Sequence, residues 1–131
     1  MNLKLVSLAA VAAAAFAAPA LAHHSFAMFD AQKTVTMQGT VKEFEWTNPH
    51  AWLRVMVKDE KAGTGAVWAL ELSSPARLKT MGMSADSVKP GDAVSVTFHP
   101  MKDGSRGGQF MEAVLPNGQR VIRANARDEN E

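Results

Sequence analysis

The feature that most constrains this chain is a slip of phase inside one long β-branched and aromatic run. From Thr34 to Trp46 the inward set begins as Val35, Met37 and Val41, then continues as Phe44 and Trp46. Side chains alternate faces along a strand, so the two halves share a face only if one extra residue stands between them. A β-bulge supplies that residue, and it also sharpens the twist and bends the strand. A first strand built this way can curve around a barrel.

The rest of the pattern agrees with a barrel. Thr47-Asn48-Pro49 is a turn signal. Ala51, Leu53, Val55 and Val57 then alternate with His50, Trp52, Arg54 and Met56, a second strand with one apolar face. Lys58 to Gly65 is a polar turn, and Ala66 to Ser73 a third strand carrying Trp68, Leu70 and Leu72. Ser74-Pro75 starts a short helix, with serine as N-cap and proline at the first position, and Gly82 stops it. After the turn Lys89-Pro90-Gly91-Asp92, Val94, Val96 and Phe98 alternate with Ser95, Thr97 and His99 as a fourth strand. Asp103-Gly104 and Gly107-Gly108 bracket an expected flexible loop, Gln109 to Leu115 is a fifth strand, and Gln119 to Ile122 a short candidate sixth. The expected fold class is all-β: a small OB-fold-like barrel of five to six strands, with one short helix between strands 3 and 4. A generic sandwich or open barrel is the alternative.

The N-terminus carries an export signal. Lys4 gives a positive head, Leu5 to Phe16 is apolar apart from Ser7, and Ala20-Leu21-Ala22 is a small-x-small cleavage pattern. The apolar run is shorter than the roughly 20 residues a membrane span needs. The expected division is a signal peptide over 1–22, an arm over 23–33, the barrel over 34–122 and a disordered, charged tail over 123–131. The destination is the periplasm or the exterior, with no stable membrane insertion after cleavage. With no cysteine, neither a disulfide nor a lipid-modified N-terminus is available. Of 14 Lys and Arg, Lys4 lies in the leader, leaving 13 against 13 acids. A formally neutral exported domain gives no reason to expect nucleic acid as a partner.

Three motifs stand in order along the mature chain: His23-His24-Ser25-Phe26-Ala27-Met28-Phe29-Asp30, Thr47-Asn48-Pro49-His50-Ala51-Trp52, and His99-Pro100-Met101-Lys102-Asp103-Gly104. In these the chain resembles an uncharacterised family of small bacterial exported proteins, across essentially the whole mature domain. The resemblance implies secretion and a compact β-domain. It implies no activity, cofactor or catalytic residue, so the site argument rests on the residues themselves.

Cleavage after Ala22 exposes His23 as the first residue. Its amine and imidazole, or the amine, amide and imidazole that a second-position His24 offers, form a nitrogen-rich chelate suited to Cu(II). Thioether sulfur favours Cu(I), and Met101 lies two residues from His99. The candidate metal residues are therefore His23, His24, His50, His99 and Met101, with copper ahead of zinc, which prefers a tetrahedral nitrogen set. In an OB barrel strand 1 pairs with strands 2 and 4, so His99 and Met101 should lie where the arm joins the barrel. His50 should lie at the other end of strand 1. The plainer reading makes His23-His24 a polar terminus, His50 part of a turn, His99 an outward strand residue and the methionines core filler.

The alternative function is a binding module for a periplasmic protein or small ligand, using Trp52, Arg54 and Met56 of strand 2 with Glu71 of strand 3. The plainer version has Trp52 covered by the arm, with Phe26 or Phe29 against it. The loop Asp103 to Gly108 lacks the strand-loop-helix context and the Gly-Lys-Ser/Thr ending of a phosphate cradle. Ser25, Ser73 and Ser74 belong to no triad that the sequence justifies. Glu43 and Glu45 share a strand face as solvated groups. A non-enzymatic role is expected.

Overall fold

The computed structural model describes residues 26–59 and 63–123. The expected leader, His23, His24 and the tail beyond Arg123 lie outside the described residues. A 3₁₀ turn over Phe26–Met28 leads into β1 (Val35–Glu45), β2 (Trp52–Asp59), β3 (Thr64–Glu71), α1 (Pro75–Thr80), β4 (Ala93–Pro100), β5 (Gly107–Val114) and β6 (Arg120–Ile122). The 3₁₀ turn was not expected from the sequence pattern.

The phase slip in β1 is a bulge. Val41 pairs with Val55 and Glu43 with Arg54, so Lys42 is the extra residue. The first half of β1 pairs antiparallel with β4, from Val35 against Phe98 to Thr40 against Ala93. The second half pairs with β2, ending at Glu45 against Trp52. The two neighbours meet near Gly39, where a Cβ would stand 2.5 Å from both the Met56 carbonyl oxygen and Val55 Cγ1.

Closure comes from a short parallel contact. Ala69, Leu70 and Glu71 of β3 pair with Gly107, Gly108 and Gln109 of β5, so β1, β2, β3, β5 and β4 form a closed ring and β6 extends β5. This corrects the expectation of a flexible loop reaching Gly108. Gly107 and Gly108 are the first residues of β5, and they are small because backbones crowd there. A Cβ at Gly108 would lie 2.4 Å from the His99 carbonyl oxygen and from Phe98 Cδ2; at Gly107 it would lie 2.9 Å from the Ala69 carbonyl oxygen. Only Asp103–Arg106 remains a turn, in which Asp103 Oδ1 accepts from Ser105 N at 2.9 Å and Ser105 Oγ at 2.6 Å. Those two donors hold the Asp103 carboxyl below the usual carboxylate range.

The barrel interior holds Val41, Leu53, Val55, Leu70, Val96, Phe98, Phe110 and Val121, all at most 2% exposed. Val35, Met37, Phe44 and Trp46 pack against that core from partly buried positions. The helix caps one end. Ser74 Oγ accepts from Arg77 N at 3.4 Å, and Gly82 takes φ +86° after the C-terminal turn. Leu78 is the fully buried anchor of α1, burial that favours docking by about 2 kcal/mol. Among the described residues, no helix is long and apolar enough to cross a membrane.

Candidate ligand sites around Glu71

Barrel closure produces a row of side chains that no single strand reveals. Trp52 pairs with Glu71, Glu71 with Gln109, and Gln109 with His99. Their sequence neighbours Leu53, Leu70, Phe110 and Phe98 fill the core. Side-chain alternation therefore turns the row outward. Glu71 and His99 are nevertheless only 8% exposed. Glu71 is the shared wall of two clefts.

The first cleft lies under the N-terminal arm. Phe29 bridges antiparallel to Met101, Asp30 N donates to the Pro100 carbonyl at 2.8 Å, and Lys102 N donates to the Met28 carbonyl at 3.0 Å. His99 ties down the next turn, its Nδ1 lying 2.7 Å from the Lys33 carbonyl oxygen. A carbonyl only accepts, so this nitrogen carries the proton. Phe29 is 5% exposed and pins the arm. Beside it is a mainly apolar pocket of about 330 Å³, lined by Met28, Phe29, Trp52, Ala69, Glu71, Met101 and the 105–108 segment. Met28, 39% exposed, is the exposed large hydrophobic side chain among the described residues.

The second cleft, about 380 Å³, is polar. Pro49 and His50 border it from the turn before β2, Glu71 to Ser74 from the end of β3, Arg77 from α1, Gln109 and Phe110 from β5, and Arg123 after β6. The turn is fastened to the β3 exit by Ala51 N donating to the Ser73 carbonyl (3.1 Å) and Leu72 N to the Ala51 carbonyl (2.9 Å). His50 Nδ1 is enclosed, and Glu71 Oε1 stands 2.5 Å from it, off the line of an ideal N–H bond. The contact is a close imidazole–carboxylate pair at the mouth of the turn.

The sequence candidates thus divide. Met101, Trp52 and Glu71 come together, with Met28 and Phe29 added by the arm. His99 sits at the arm junction, where the β1–β4 pairing was expected to put it. His50 lies at the far end of β1 along the strand, yet the β3–β5 seam brings its partner Glu71 within two strands of His99. Arg54 faces elsewhere, donating from Nη1 to Glu43 Oε2 and Glu45 Oε2 at 3.0 Å each. Met56 covers Gly65 and borders a separate surface depression with Gln38, Thr40 and Lys58. Among the described residues, no three His, Asp or Glu side chains converge as a metal site.

Four contributors escaped the sequence reading: Met28, Arg77, Gln109 and Arg123. Arg77 was accessible in principle, because the Ser74-Pro75 start places it in the first helical turn. In sequence Arg123 reads as the first residue of the charged tail. Its backbone N donates to the Met111 carbonyl at 2.7 Å, which carries the ladder one residue further. Nothing local to Met28 or Gln109 signals the parallel seam or the folded-back arm that positions them.

Fold and clefts define a small OB-like barrel, closed by a glycine seam and strapped by its own N-terminal arm. The chain belongs to a family of unknown function, DUF6152, whose model matches residues 10–111. That match spans the arm, the first four strands and the beginning of β5. Comparison with curated proteins and with solved structures found no match.

Proposed function

We propose that the chain is an exported, non-enzymatic copper-binding protein, cleaved after Ala22, that holds its ion where the arm meets the exit of β4. The observation that carries this reading is the Phe29–Met101 bridge, which sets Met28 and Met101 on one pocket. Two thioethers in an apolar, partly enclosed site favour Cu(I) over harder divalent ions. His24 precedes Met28 by four residues, a reach of at most about 14 Å of chain. The N-terminal imidazoles therefore supply the remaining donors. In this arrangement His99 is the anchor that fixes the arm through Lys33, and Trp52 forms the pocket wall. Zinc suits the site less well, since it gains little from thioether sulfur.

The test uses mature protein beginning at His23, titrated with Cu(I) against a chromophoric Cu(I) chelator. Tryptophan fluorescence is followed in a Trp46→Phe, Trp68→Phe background. Stoichiometric binding should quench Trp52. Met101→Leu, Met28→Leu and His24→Ala should each weaken binding by about tenfold or more. Equal affinity in all three variants would overturn the reading.

A further inference from the structure

The two thioethers of the pocket under the arm differ in their access to water. We infer that Met28 is a modification site, oxidised reversibly to the sulfoxide by hydroperoxides, and that this oxidation switches off soft-metal binding beside it. The switching rests on the copper reading, whereas the modification itself does not.

Exposure singles out one sulfur. Among the described residues Met28 is the exposed methionine, at 39%, and it ends the 3₁₀ turn that opens the arm. Met83 and Met111 are buried, at 3% and 9%, while Met37 and Met81 pack against the core from partly buried positions. Met56 is half-buried and lays its Sδ on Gly65, where a Cβ would stand only 2.7 Å from the sulfur. Met101 is half-buried as well, bridged to Phe29, with its Cγ 3.6 Å from the place a Gly107 Cβ would take. A small oxidant arriving from solvent therefore meets the Met28 sulfur first.

The chemistry needs no further protein group. A lone pair on Met28 Sδ attacks the terminal oxygen of a hydroperoxide, and an S–O bond forms as the O–O bond breaks. Sulfur gives up two electrons. The proton of the attacked oxygen passes to the departing one, which leaves as water or an alcohol. The sulfoxide is returned to the thioether by methionine sulfoxide reductases, one class for each epimer.

Placement makes the modification matter. The Met28 carbonyl accepts from Lys102 N at 3.0 Å, and the next residue, Phe29, is buried and bridged to Met101. The backbone thus keeps the Met28 side chain at the rim of a mainly apolar pocket. Oxidation makes that side chain polar, so it gains by turning its new oxygen to water. The donor it then offers is a hard oxygen in place of a soft sulfur, which suits Cu(I) poorly. One thioether, the sheltered Met101, remains. Bound Cu(I) engages the same sulfur lone pair, so the loaded protein should resist oxidation at Met28.

Mature, copper-free protein is treated with limiting hydrogen peroxide, and peptide mass spectrometry locates the added oxygen. Met28 should carry the first oxygen, in the parent protein and in Met101→Leu alike, with Met83 and Met111 last. Both classes of sulfoxide reductase together should restore the original mass. Oxidation at Met28 no faster than at Met83 or Met111 would overturn the modification site. Once peroxide is removed, the oxidised protein is titrated with Cu(I) against the chromophoric chelator. Its affinity should fall by about tenfold or more, as in Met28→Leu, and recover after reductase treatment. An affinity unchanged by the Met28 sulfoxide would overturn the switch, as would an equal loss when Met28→Leu is treated with peroxide. If the unoxidised protein binds no Cu(I), the copper reading and the switch fall together, while the order of oxidation still decides the modification site.

Discussion

His99 and His50 are the same residue type in two differently built regions, and the contrast shows what each region is for. His99 is 8% exposed, and its Nδ1 meets a backbone carbonyl, a neutral acceptor belonging to the arm. That interaction fastens two pieces of backbone. His50 is only partly buried, and its Nδ1 meets a carboxylate. That contact forms part of the wall of the polar cleft. The imidazole at the arm junction joins two backbone segments, whereas the one at the turn stands beside a carboxylate at the edge of a polar cleft.

The largest effect should come from the seam. In Gly108→Ala the new methyl has only the His99 carbonyl and the Phe98 ring to displace, at 2.4 Å from each. A loss of about 3 kcal/mol in urea denaturation is expected, at the upper end of ordinary overpacking. Stability close to that of the parent protein would mean that the seam is looser than its contacts indicate.

The two histidine regions can then be separated by removing each partner interaction. Glu71→Ala should cost about 2 kcal/mol, less than for a fully buried pair because His50 retains access to water. His99→Phe keeps a similar volume and removes one donor from the Lys33 carbonyl, at a cost of about 1 kcal/mol. Amide exchange should accelerate at Asp30 and Lys102 in His99→Phe but not in Glu71→Ala. Identical exchange in the two variants would merge the regions that the comparison distinguishes.

The sequence made the barrel legible wherever a local rule carried the structure. The change from Val41 to Phe44 located the bulge, because strand alternation is strict and core residues cannot switch faces. Ser74, Pro75 and Gly82 framed α1 because their preferences are properties of single residues. Gly107-Gly108 misled for the opposite reason. A glycine pair signals mobility or close approach equally well, and the parallel partner that decides between them lies more than thirty residues earlier, at Ala69 and Leu70. The same seam hid the meeting of Glu71 with Gln109. Met101 was found through its neighbour His99 and through topology. Met28 was legible as an apolar anchor of the arm, but nothing in its own segment specifies the Phe29–Met101 bridge that sets it beside Met101.

The account's central claim is that the arm brings sulfur and imidazole donors to one copper ion at the exit of β4. X-ray absorption at the copper edge of mature protein loaded with one equivalent of Cu(I) tests it most directly. The predicted spectrum contains thioether sulfur together with imidazole scattering, and Met101→Leu removes sulfur from it. A first shell of nitrogen or oxygen alone, unchanged in Met101→Leu, would contradict the claim.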